Sequence, residues 1–339
     1  MFSTRLVTNF DQIRSDWNIL LNQTGLNAIF FSALWQETWW NHFGSKKSIN
    51  IIEVFQGDDI VGIAPLMIEK SVLSFISSTD LVDYGNFIIR DNNSEAYFSI
   101  WENILELEWD KCELCSLPAN SPILEIYPKL AEDYGFRVEV VKEDVVPRLQ
   151  LPKTWDNYLD NLSKKKRHEI RRKIRKLESF GIVEFRELKE SKLVMKEMDT
   201  FFDLHKSSSA KKSQFLNNKR RRFIEDISMK FAENKMLILS LLDIDSSPVA
   251  ACLGFEYRDS YFLYNSGYNP EFSDLSVGIV ANLYAIKNAI IRENTIFDFL
   301  RGGEFYKYQL GAEDQYIFRC LLYTSDAADE RSSVDLGGR

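Results

Sequence analysis

Two stretches of the chain read as the same β-hairpin in the same setting. The first is INIIEVF, the turn QGDD, then IVGIAPLMIE; the second is MLILSLLDI, the turn DSS, then PVAACLGFEY. Apolar, β-branched runs around a short polar turn are the signature of antiparallel strands. Helical segments precede each hairpin: around 9–22 and 33–43 in the first half, and 155–180, 191–205 and 218–234 in the second. A strand, a helix and a further strand follow each. In the first half these are 81–89, 94–108 and KCELCSL, after which come a helix at 121–134 and FRVEVV. In the second they are SYFLYNSGY, 277–292 and TIFDFLR. A repeated order of this kind restricts the chain to two α/β domains, each a mixed twisted sheet flanked by helices, joined near residues 147 to 152.

The 339 residues suit two domains, and 24 Phe, 14 Tyr and 7 Trp supply two apolar cores. No apolar run nears the ~20 residues that span a bilayer, and the N-terminus lacks a stretch of signal-peptide length, so a soluble, cytoplasmic protein is expected. Four cysteines fit a reducing compartment. Cys112 and Cys115 have knuckle spacing, but DKCELCSLP reads as a strand and no His lies near, so no metal is expected.

Charge is distributed unevenly. The chain carries −8, yet residues 161–222 hold 20 Lys and Arg against 8 Asp and Glu, a net +12 that leaves −20 elsewhere. Where that segment begins, Leu159, Leu162, Ile170, Ile174 and Leu177 form an apolar helical stripe, with Thr154 and Ser163 as N-caps and Gly181 as terminator. Residues 164–176 add nine cations against Glu169 alone. Like charges one turn apart repel, so an anionic partner is expected, with Arg167, Arg171 and Arg172 as its ligands. A second cluster, Lys219 to Arg222, extends the basic character.

The last stretch, 320–339, is small and polar. Ser333-Val334-Asp335-Leu336-Gly337-Gly338-Arg339 resembles a translated sequencing adapter, so 320–339 is set aside and the natural C-terminus is expected to be absent.

Several segments together resemble the CelD-like, cellulose-biosynthesis-associated branch of the GNAT acetyltransferases, which is related to the Fem-type aminoacyl transferases. They are WDNYLDNLSKKKRHEIRRKIRKLESFG (155–181), DLHKSS (203–208), SSPVAACLGFEY (246–257), LYNSGYNPEFSDLSVG (263–278) and FDFLRGGEFYKYQLG (297–311). The first half adds FFSALWQETWWNHFG (30–44), DIVGIAPL (59–66) and LPANSP (117–122). The resemblance implies tandem GNAT domains. Residues 1–147 form a degenerate, acceptor-side or structural domain, 148–319 the acyltransferase domain, and 320–339 the tail.

It also implies transfer of an acyl group, acetyl above all, from acyl-CoA to an amine of an envelope- or polysaccharide-related acceptor. The donor's phosphates would sit at a helix N-terminus, in the loop of Tyr268, Asn269, Ser276, Val277 and Gly278. GNAT enzymes carry a Gly-rich signature there; this chain keeps Gly278 alone. The catalytic candidates are Arg301, Glu304 and Lys307, from FDFLRGGEFYK, and His205. Glu304 would be the base, and Lys307 or Arg301 the oxyanion partner. Tyr84 and Tyr306 are further substrate-binding candidates. Two alternatives remain at this level: a Fem-type transferase drawing on aminoacyl-tRNA, and a non-catalytic module for RNA or another polyanion.

Overall fold

The computed structural model describes residues 1–77 and 80–324. The chain divides into two compact units, one of Met1–Val145 with the residues from 315 onward, the other Val146–Asp314.

The first unit opens with β1 (Phe2–Val7), α1 (Arg14–Gln23) and α2 (Ala33–Phe43). Ser32 caps α2 by accepting from the Trp35 amide. The expected hairpin follows as β2 (Ser48–Gln56) and β3 (Asp59–Glu69), then β4 (Val72–Phe75), β5 (Ile88–Ile89), α3 (Ser94–Leu105), β6 (Lys111–Pro118), α4 (Ile123–Asp133) and β7 (Arg137–Val145). The expected strand at 81–89 shrinks to two residues. Gly85 lies so close to its neighbours that a Cβ there would stand 2.6 Å from the Cys115 carbonyl oxygen, and its amide donates to Ser116. That segment crosses the end of β6 instead of pairing along a neighbour.

The second unit contains β8 (Arg148–Gln150), α5 (Trp155–Asn161), α6 (Lys164–Glu178), β9 (Val183–Leu188), α7 (Ser191–Ser207), α8 (Ala210–Phe215) and α9 (Asn218–Glu233). It continues with β10 (Leu237–Ile244), β11 (Ser247–Tyr257), β12 (Ser260–Tyr268), α10 (Val277–Ile291), β13 (Ile296–Asp298) and α11 (Phe305–Gln309). The single helix expected over 155–180 is two, because Leu162 turns extended (ψ 150°) and Ser163 starts the second by capping Lys166. The sheet runs β8-β13-β12-β11-β10-β9. Ile170 and Leu177 of α6 and Val280 and Ile286 of α10 share a core with Cys252, Tyr261 and Leu263 of the sheet. On the other side, Phe231 of α9 meets Phe255 of β11 at 5.1 Å.

The final strand, β14 (Tyr316–Tyr323), belongs to the first unit. The first sheet runs β1-β2-β3-β4-β6-β14-β7, with β14 antiparallel to both neighbours. This corrects the expected boundaries. Residues 315–319 leave the second domain, and 320–323 form part of the strand, with Cys320 and Leu322 fully buried. A cut at 319 splits the apolar run YIFRCLLY and hides its strand length. The adapter-like residues 333–339 lie outside the described residues.

The duplication inferred from element order appears as sheet topology. In the first unit β4 runs parallel to β6, and β6 pairs antiparallel with β14. In the second β12 runs parallel to β13, and β13 pairs antiparallel with β8. In each sheet the last of these strands comes from a distant part of the chain.

Candidate active site

β12 outruns its parallel neighbour. Only Ser260, Tyr261 and Phe262 pair with β13, so residues 263–268 extend past its end. A register shift against β11 leaves Tyr264 as an extra, bulged residue just where the two strands part. Such a parting between parallel strands opens the sheet at their carboxyl ends, where α/β sites form.

The chain leaves β12 through Asn269, whose side chain accepts from the Glu271 amide, and a 3-10 turn, Pro270–Leu275. Ser276 adopts a left-handed conformation (φ 57°) and begins α10. At the start of this 15-residue helix the Ile279 and Val280 amides donate to the Ser276 carbonyl, while those of Val277 and Gly278 precede the helical ladder, a position that favours anionic groups. Val277 is buried, and a Cβ at Gly278 would come within 3.1 Å of the Tyr268 ring, so this glycine also serves packing.

The basic helix α6 abuts this turn. The Lys173 amine donates to the Ser276 hydroxyl at 3.0 Å, and Lys176 donates to the Asp274 carbonyl at 2.8 Å. The arginines singled out from the sequence are engaged differently. Arg167 pairs with Asp160, and Arg172 binds Glu169 bidentately at 2.7 and 2.8 Å. Hydrogen bonding from Arg172, and then from Lys173, holds the Glu169 carboxyl down to about 2. Arg171 is exposed. The sequence signal for Lys173 was its register: it lies three residues after Ile170 and four before Leu177, on the margin of the apolar stripe.

At the parting of the strands, the Ser266 carbonyl accepts from His205 Nδ1 at 3.2 Å and from the Lys212 amine at 2.5 Å. Gly267 permits this. A Cβ there would lie 2.3 Å from the His205 backbone nitrogen, so only glycine lets α7 come so close to β12. A carbonyl can only accept, so Nδ1 carries the imidazole proton and Nε2 keeps its lone pair. Nε2 is buried and has no hydrogen-bond partner. Burial, and then the Lys212 ammonium, push the His205 pKa down to about 4, so the ring is neutral at neutral pH.

Lys212 was not anticipated from the sequence. Burial lowers its pKa, while Cys252 and Glu304 favour its charged form and Lys307 opposes it. These influences place residues from α8, β11 and the loop after β13 in one neighbourhood. The Cys252 thiol, pushed up to about 12 by burial, donates to Asn282 of α10 at 3.2 Å. The half-buried Tyr306 phenol is raised by burial and next by Glu304.

The FDFLRGGEFYK segment leaves its strand earlier than expected. β13 ends at Asp298, whose buried carboxylate binds Arg148 Nε at 2.7 Å and accepts from the Leu300 amide at 2.8 Å. Leu300 then turns left-handed (φ 58°). Lys307, only 2% exposed, donates to the carbonyls of Leu300 (3.1 Å), Arg301 (3.0 Å) and Gly302 (2.8 Å), and its amine pairs with Glu304 at 2.8 Å. Its three protons are committed to shaping this loop, so it has none for an oxyanion. Arg301 is half-buried and Glu304 exposed. Tyr84 belongs to the first unit's interior, 2% exposed, with its ring 6.1 Å from Phe30.

Known proteins share the fold of this chain. Residues 164–308 match the family model described as an acetyltransferase (GNAT) domain. Over 94% of this chain and 96% of the other, the fold is similar to the crystal structure of FemX (TM-score 0.68, 11% identity). It is also similar to the C-terminal domain (DUF2156) of a putative lysylphosphatidylglycerol synthetase from Agrobacterium fabrum (TM-score 0.60, 10% identity, 94% and 95% covered). A tandem GNAT protein from the clavulanic acid biosynthesis pathway matches with TM-score 0.50 and 10% identity over 94% of this chain and 98% of that one. No curated protein sequence matches the chain.

Proposed function

We propose, from a chain whose fold is two tandem GNAT-like domains, that the second unit transfers an acyl group from acyl-CoA, acetyl-CoA above all, to an amine. The observation that carries this reading is the seating of Lys173 and Lys176 on the turn that starts α10. Two ammonium groups beside outward-pointing amides suit a pyrophosphate, which compensates for the missing glycines of the usual signature. The thioester would then lie along the unpaired end of β12.

In the reaction the acceptor nitrogen attacks the thioester carbonyl, forming C–N and breaking C–S. The exposed Glu304 carboxylate takes the amine proton. The Tyr306 phenol, kept protonated by burial, donates its proton to the departing thiolate. His205 is a positioning residue that holds the Ser266 carbonyl and hence the bulged strand. The acceptor is an envelope- or polysaccharide-related amine, as in the CelD-like branch, and the reaction is cytoplasmic.

A second reading, Fem-type transfer from aminoacyl-tRNA, is favoured by Lys164, Arg171 and Arg175. They recur along one exposed side of α6, and no carboxylate among the described residues pairs with them. Thermal shift with acetyl-CoA, longer acyl-CoAs and aminoacyl-tRNA separates the two. Stabilisation by acyl-CoA that disappears in Lys173→Ala/Lys176→Ala supports the first. A shift with tRNA alone, lost at high salt, overturns it.

A further inference from the structure

The first unit contains a cavity of about 540 Å³ that the proposed transfer reaction does not use. It lies where β4 and β6 part. The two strands pair only over Val72, Leu73 and Ser74, and β4 stops at Phe75 while β6 continues to Pro118. The volume is in the range of small-molecule sites. Trp39, Met67, Phe75 and Val82 give it an apolar wall.

Its polar end is built around Arg319 of β14. Opposite Arg319 the ladder has one residue too many on β6, where Cys115 and Ser116 together face it. On β7 Arg319 faces Val141, and the extra residue, Glu143, lies two positions further on, between the partners of Phe318 and Ile317. Ser116 takes a left-handed conformation (φ 60°), and its amide donates to Glu143 at 2.7 Å. Bulges on both flanks re-aim side chains at a site.

The charges around the cavity are unevenly satisfied. Glu69 pairs with Lys47, Glu113 pairs with Lys111, and Glu143 accepts from Ser116. Arg319 has no such partner: its Nε is buried without a hydrogen bond, and no carboxylate among the described residues forms an ion pair with it. Lys70, on an exposed turn, adds a second cation at the rim. A guanidinium with an unused, desolvated N–H is costly unless something accepts from it. Its planar fork suits a carboxylate or a phosphate.

We infer that the first unit binds a small organic anion at this cavity, with its carboxylate or phosphate on Arg319 and an apolar body against Trp39, Met67 and Phe75. The inference is independent of the acyl-transfer reading, since every lining residue belongs to the first unit.

Cys115 supplies a readout on the intact protein. It lines the cavity and is half-exposed, whereas Cys112, Cys252 and Cys320 are buried. The full chain is alkylated with iodoacetamide, and the rate at Cys115 is followed by mass spectrometry of its peptide. Phenylacetate, phenyl phosphate, inorganic phosphate and benzyl alcohol are the probes. Slowing of fivefold or more by phenylacetate or phenyl phosphate is expected, and which of the two is stronger tells carboxylate from phosphate. Arg319→Gln should abolish the protection, whereas Lys173→Ala/Lys176→Ala, which disables the donor site, should leave it intact. If Arg319→Gln does not fold by circular dichroism, Lys70→Asn takes its place, since asparagine tolerates the left-handed φ of 50° there. It should weaken protection at least twofold. The proposal is overturned if no probe protects, if benzyl alcohol protects equally, if inorganic phosphate protects as well as phenyl phosphate (an adventitious ion only), or if the variant is protected like wild type.

Discussion

His205 and Lys212, from successive helices, donate to one acceptor, the carbonyl oxygen of Ser266. The arrangement fixes the imidazole tautomer and sets a cation beside a ring that must stay neutral. It predicts a pH dependence of stability. The folded-state pKa of His205, about 4, lies below the ordinary 6.5, so between these values the unfolded chain binds more protons. The contribution is complete above about pH 6.5 and is lost as the pH falls towards 4. Its size is on the order of 3 kcal/mol at about 1.4 kcal/mol per unit. Urea unfolding from pH 7 to 4 should show this decline, and His205→Gln should flatten it; equal slopes for the two proteins would refute the assignment.

Lys173 and Lys176 should act on donor binding. Each is expected to contribute about 1–1.5 kcal/mol through charge-assisted contacts, or roughly five- to tenfold in affinity. Isothermal titration with acetyl-CoA at two salt concentrations measures this. The double variant should bind at least 20-fold more weakly with a shallower salt dependence, while Arg172→Ala, whose partner is Glu169, should change affinity less than threefold.

Lys307 is expected to behave as a structural residue. Lys307→Met keeps the packing but leaves the carbonyls of Leu300, Arg301 and Gly302 without their donor. The loss should be about 2–4 kcal/mol, read as a lower urea midpoint. A variant as stable as wild type but inactive would instead return Lys307 to the chemistry.

Gly267→Ala tests the approach of α7 to β12. The added methyl would stand 2.3 Å from the His205 backbone nitrogen, so helix or strand must shift, at about 1–3 kcal/mol. Transfer activity should fall more than tenfold as the Ser266 carbonyl moves. Gly57→Ala is a poor control, because its φ of 64° adds strain of its own; Gly25→Ala, with open space around it, should be silent.

Much of the architecture was legible because it is periodic. The two hairpins, the caps at Thr154 and Ser163, and the stripe of Ile170, Ile174 and Leu177 on α6 are local patterns, and each formed as read. What stayed hidden depends on distant pairing. β8 has three residues, too short for an alternation to register, and is held by pairing with the distant β13. The site divided in the same way. The helix bearing the cations was visible, but which cations reach α10 depends on how α6 lies on the core, so Lys173 and Lys176 replaced the arginines. Lys307 was found by motif, but its acceptors, the carbonyls of Leu300, Arg301 and Gly302, depend on how the loop folds and cannot be seen in its sequence neighbourhood. Lys212, on a six-residue helix with no periodicity, gave no signal.

The position of β14 has a consequence for biosynthesis. Among the described residues β7 pairs only with β14 in the first sheet, and β14 is encoded more than 170 residues after β7 ends at Val145. A ribosome therefore releases every other strand of the first unit while the slot between β6 and β7 stands empty. The second unit, whose six strands all lie between residues 148 and 298, can finish first. Nascent chains would then expose the facing edges of β6 and β7 for much of translation, about ten seconds at typical rates. During that interval the half-built sheet is open to chaperones, or to the β14 of another copy.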